Sequence, residues 1–73
     1  MPTVDHTLLR TRREAAGLTR EQVATALTKS FKAIEAYERG ANVPPGNVLI
    51  ALAALYGVAV EDLCSDGQPV GAR

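Results

Sequence analysis

The sequence predicts an all-α fold, a compact bundle of about five short helices, and three observations lead there. Two neighbouring segments, beginning at Thr19 and at Ser30, each open on a hydroxyl suited to cap a helix and then carry apolar residues at helical spacing. A third segment, VLIALAALY from Val48 to Tyr56, is apolar at every position. Gly17 stands before the first of these segments, and Gly40, Pro44 and Pro45 stand between the second and the third, residues that end helices rather than continue them. At 73 residues the chain is read as one domain, residues 1–64, followed by a polar tail, residues 65–73.

The first helix is expected from near Asp5 to Ala16, with Thr3 or Asp5 as its cap and Gly17 as its terminator. Leu8, Leu9 and Ala16 would face the core, while Arg10, Arg12 and Glu14 would face water. His6 has no acidic or cysteine partner at metal-binding or catalytic spacing and reads as a surface histidine. The second helix starts after Thr19, whose hydroxyl and the Gln22 side chain three residues on form a T-x-x-Q capping box. Val23, Ala24 and Leu27 share one of its faces, and Ala24 is small where two steeply crossing helices bring their backbones together. Thr28 and Lys29 interrupt the pattern, and Ser30 caps a third helix from Phe31. Ile34 and Tyr37 share a face of that helix, which Gly40 closes.

Pro44 and Pro45 lie in the loop that separates this pair from a fourth helix of about ten residues starting at Asn47. A helix with one buried side should carry polar residues on the other, and this one does not. Leu49, Leu52, Ala53 and Tyr56 form a stripe suited to pack on the preceding helices. Val48, Ala51 and Leu55 form a second stripe, continued by Val58. Two readings of it stand side by side: a fifth helix, roughly residues 60–64, folds back over it, or it forms a homodimer interface that relieves the shortage of core in so small a domain. The larger share is assigned to the dimer, because Val58, Val60 and Leu63 add more apolar surface than one short helix hides. Beyond Ser65 the glycine, proline and polar content is that of a disordered end.

The run GLTREQVA from Gly17 to Ala24, followed by Ile34, Tyr37 and the ERG of Glu38 to Gly40, resembles the helix-turn-helix family of phage repressors and Cro proteins. Pro44 and LAALYGV from Leu52 to Val58 are similar to that family's fourth helix and the turn after it. The resemblance implies a lambda-repressor-like bundle that binds double-stranded DNA and regulates transcription, with repressor and Cro-like as the family's description and the direction of regulation in this chain left open. It implies that the helix from Phe31 lies in the major groove with its first residues against base edges. Arg20 matches a position that donates to phosphate. Ser30 would touch phosphate or cap the helix, Phe31, Lys32, Glu35 and Ala36 would face bases, and Lys29 and Arg39 would lie near the backbone. Arg13 and Glu38 match a partly buried salt bridge between the first and third helices. The turn departs from the family, which carries glycine and then an aliphatic residue where this chain has Thr28 and Lys29. A β-branched residue is costly at positive φ, so a rebuilt turn is expected. Phe31 is open to two readings, packing on thymine methyl groups or covering the motif's own core.

Charge and cysteine content narrow the alternatives. The formal net charge is zero, but residues 1–40 carry seven Arg or Lys against five Asp or Glu, and residues 41–73 carry one against three. The balances of +2 and −2 suit a protein that sets one end on phosphate and keeps the other away. The single cysteine, Cys64, excludes an internal disulfide, and no Cys/His cluster points to zinc. No cofactor is expected, nor an enzyme, since there is no paired carboxylate in a cleft, Ser/His/Asp set or phosphate-cradling glycine loop. No signal peptide or membrane span is apparent, and the chain is read as soluble and cytoplasmic. The competing function is a protein-interaction module of the same fold, of antitoxin or adaptor type, with little DNA binding.

Overall fold

Every helix of the computed structural model, which describes residues 3–65, ends in the same kind of closure, and three of the four begin under a side-chain cap. Helix α1 spans His6–Ala15, and Asp5 Oδ1 accepts from the Thr7 amide at 2.9 Å. Helix α2 spans Arg20–Leu27 under a complete capping box: the Gln22 amide donates to Thr19 Oγ1 at 3.1 Å, and the Thr19 amide donates to Gln22 Oε1 at 2.8 Å. Helix α3 spans Phe31–Arg39, and Ser30 Oγ accepts from the Ala33 amide at 3.1 Å. Helix α4 spans Gly46–Tyr56 and follows Pro45, which ends the loop without a side-chain cap.

At the other ends an amide donates five residues back: Leu18 to the Arg13 carbonyl at 3.2 Å, Lys29 to Ala24 at 2.9 Å, Ala41 to Ala36 at 2.9 Å and Val58 to Ala53 at 3.0 Å. The residue before each donor is left-handed. It is glycine three times, Gly17, Gly40 and Gly57, and once it is Thr28, at φ 56°. The rebuilt turn expected between α2 and α3 is therefore not formed. Thr28 takes the left-handed position with its branched Cβ in place, at a cost of about 1–2 kcal/mol.

The core lies where the four helices meet. It comprises Leu9 of α1, Val23 and Ala24 of α2, Ile34 and Tyr37 of α3, Val48, Leu49, Leu52, Ala53 and Tyr56 of α4, and Leu63. The expected fifth helix is a single 3-10 turn, Val60–Leu63, which drives Leu63 fully beneath α1 and α4. Beside it lies a feature the sequence reading did not contain. Strand β1, Thr3–Val4, pairs antiparallel with β2, Cys64–Ser65, so that Thr3 faces Ser65 and Val4 faces Cys64. The Asp5 amide extends the clasp by donating to the Leu63 carbonyl at 2.9 Å, and Arg12 Nε reaches the Asp62 carbonyl at 3.4 Å.

Four expectations are corrected. Ser65 belongs to the folded unit rather than the tail, and the tail from residue 66 lies outside the described residues. Ala16 is exposed, because the chain turns away from the core at the end of α1. Arg12 is half-buried by its reach to the 3-10 turn. Val48 is buried by the chain's own fold, since it sits one helical turn before Leu52 on the inward side, and has little surface left for a partner.

Replacing Thr28 with glycine removes the left-handed strain. Thermal unfolding of Thr28→Gly is expected to show a Tm about 4–8 °C higher, the equivalent of roughly 1 kcal/mol in a domain of this size; an unchanged Tm would mean that Thr28 is not strained.

Candidate nucleic-acid interface

Helix α3 turns one arc inward and another outward. Ile34, Tyr37 and Glu38 are buried, while Phe31, Lys32 and Arg39 are exposed and Glu35 and Ala36 are half-buried. At 100° per residue the last five fall on one continuous face. Lys29 and Ser30, just before the helix, are exposed as well. Phe31 is 42 % exposed, so it does not cover the motif's core. This outward face carries cationic, acidic and aromatic groups within about two turns, and it is unobstructed among the described residues.

The orientation of α3 is tied down by Glu38, whose side chain is only 3 % exposed. Arg13 of α1 grips it with two donors, Nε to Oε2 at 2.6 Å and Nη2 to Oε1 at 3.2 Å, the forked geometry of a strong charged pair. Arg13 Nη1 donates in addition to the Leu18 carbonyl at 2.7 Å, fixing the chain just before α2. Arg20 of α2 donates through Nε to Glu38 Oε1 at 3.0 Å. The resemblance assigned Arg20 to DNA phosphate alone; the structure ties one edge of its guanidinium to Glu38 and leaves the side chain one-third exposed. No residue spacing announces this contact, because Arg20 and Glu38 meet only through the crossing of α2 over α3.

The same cluster acts on its surroundings. The Arg13 guanidinium is held above its usual range, chiefly by the hydrogen bond to Glu38 and against the cost of burial. Tyr56 of α4 is pushed from 10.0 up to about 12, first by burial and then by the Glu38 carboxylate, with Arg13 opposing. Its hydroxyl is buried without a hydrogen-bond partner among the described residues.

Residues 7–64 match the sequence profile of the helix-turn-helix domain family, more than half of the chain. The chain belongs to the helix-turn-helix domain family. No match is found among curated proteins. That family is one of DNA-binding domains, and the match takes in the whole of α2, α3 and α4 and nearly all of α1 of the all-α scaffold described above. Among the described residues no helix is long and apolar enough to cross a membrane, and no group of three or more His, Cys, Asp or Glu is placed to hold a metal ion. On α4 the sequence reading missed Ile50, which is 63 % exposed and is among the most open large apolar side chains described. Its signal was the absence of any charged residue from that helix.

Tyr56 sets a pH dependence whose sign follows from its raised value. The folded state holds the phenol proton more tightly than the unfolded chain, so the associated stability is complete below pH 10 and is lost as pH rises to about 12. Urea unfolding of wild type and Tyr56→Phe between pH 9 and 12, ranges set by the two pKa values, should show the wild type losing the larger share of its stability. Below pH 9 the substitution should be neutral or stabilising by about 1 kcal/mol, since it removes a buried hydroxyl that lacks a partner; parallel pH profiles would contradict the burial-driven shift.

Proposed function

We propose that this helix-turn-helix domain is a sequence-specific transcription regulator that lays α3 in the major groove and works as a homodimer. The observation that carries this reading is the outward face of α3, open to solvent in a chain whose family match spans both helices of the motif. In that placement Phe31, Lys32, Glu35 and Ala36 meet base edges, Lys32 donating to guanine O6 or N7 and Phe31 packing on thymine methyl groups. Lys29, Ser30, Arg20 and Arg39 lie toward the phosphates, supplying affinity rather than selectivity. The positive balance of residues 1–40 supports the same orientation.

The dimer reading draws on α4. Ile50, Ala51, Ala54 and Leu55 fall on one side of the helix axis, opposite the buried arc, and only Asn47 among the residues on that side is polar, while Val58 lies half-buried just beyond the helix end. Pairing that face with its copy hides the apolar side chains and presents two copies of α3 about 34 Å apart, one turn of duplex, which selects a near-palindromic site. The test uses random-sequence duplex DNA over a range of salt concentrations. Affinity that falls steeply with salt, and falls again in Lys32→Ala without loss of fold, is the expected result; no binding at low salt would favour a protein-interaction module. For the dimer, Ile50→Glu should yield folded monomers by sedimentation, and a folded dimer in that variant would place the interface elsewhere.

A further inference from the structure

We propose that Glu38 is a positioning residue for DNA: it holds Arg20 by one edge so that the other edge is presented to a backbone phosphate. The inference rests on the DNA-binding reading above and adds to it a role for a buried carboxylate that touches no nucleic acid. Three observations lead to it. Glu38 accepts from two guanidinium groups, so the cluster carries one positive charge more than it neutralises. The nearby Glu14 carboxylate is 3.9 Å from Arg13 Nη2 and more than half exposed, where water screens it. The surplus charge is presented on Arg20, because Arg13 has a side chain 9 % exposed and Arg20 one 33 % exposed.

Arg20 is moreover the first residue of α2, where the helix dipole disfavours a cation. Its placement there is locally unfavourable, and Glu38 supplies the compensating charge from a different helix. Arginine suits the task because its planar group offers donors on two edges at once, Nε toward Glu38 and the terminal nitrogens toward an anion. A side chain held this way has already given up rotamer freedom in the unbound protein, so that loss does not count against binding. Lysine, a single point donor, cannot serve the carboxylate and a phosphate with the same fidelity.

The experiment measures binding of wild type, Arg20→Ala, Arg20→Lys, Glu38→Gln and the Arg20→Ala/Glu38→Gln double variant to random-sequence duplex DNA at several salt concentrations. All measurements are made below each variant's melting temperature. Arg20→Ala should lose about tenfold in affinity, the worth of one charge-assisted contact, and its salt slope should flatten by about 0.9, one phosphate. Arg20→Lys should keep the wild-type slope yet lose most of that affinity. Glu38→Gln should weaken binding when Arg20 is present and add nothing when it is absent. Equal effects of Glu38→Gln in both backgrounds would make Glu38 merely structural and overturn the proposal. If Glu38→Gln does not fold, Arg20→Lys decides alone, and wild-type affinity in that variant overturns it. A wild type that binds no DNA at low salt removes the DNA reading and this inference together, whereas a wild type that binds but shows no Arg20–Glu38 coupling removes only the inference.

Discussion

Three helices converge on the Glu38 carboxylate, and the arrangement of the DNA-binding unit depends on it. Arg13 reaches it from α1, Arg20 from α2, and Glu38 itself is the inward edge of α3. Apolar packing alone is non-directional and would tolerate small rotations of α3 about its axis. Charged hydrogen bonds at 2.6 to 3.2 Å do not, and they leave Phe31, Lys32, Glu35, Ala36 and Arg39 on the open side. The net contribution of such a buried pair to stability is small, because desolvation offsets most of the attraction, but stranding one partner costs roughly 3 to 5 kcal/mol. Its main effect in this fold is orientation.

The turn between α2 and α3 shows the same priority of tertiary over local preference. Four helices close by the same backbone bond, and glycine stands at the left-handed position in three of them. The fourth, Thr28, is in the link between α2 and α3. A strained residue persists when its surroundings leave it no alternative. Val23 and Ala24 are almost fully buried just before it, the Ser30 cap starts α3 just after it, and α2 and α3 pack directly on each other. With both helices anchored, Thr28 adopts the left-handed conformation despite its branched Cβ.

Helix α4 presents the opposite problem, an excess of apolar surface. One arc of it fills the core, and the 3-10 turn with Leu63 covers part of what remains. Ile50 is left 63 % exposed. In a domain of this length the core is small by necessity, so the proposed pairing of α4 with its copy would add to stability as well as to the spacing of the reading helices. The cluster around Glu38 is linked to this helix through Tyr56, whose buried phenol is shifted by both Glu38 and Arg13.

Much of this protein was legible in the chain as written. Capping residues, helical spacing and terminal glycines are local properties, and they marked all four α-helices, the capping box of Thr19 and Gln22, and the stripe of Leu49, Leu52, Ala53 and Tyr56. They did so because a helix end is decided within about four residues. What needed three dimensions involved partners distant in sequence or competition between local and global terms. The two-residue strands join Thr3–Val4 to Cys64–Ser65 with nothing in either pair to announce it. Val48 went inward and Ile50 outward because the rotation of α4 is set by the helices beneath it, not by its uniformly apolar sequence. Thr28 accepted a conformation its own Cβ disfavours. Arg20 met Glu38 across a helix crossing, since a guanidinium finds its carboxylate by position in space, and only the packed bundle defines that position.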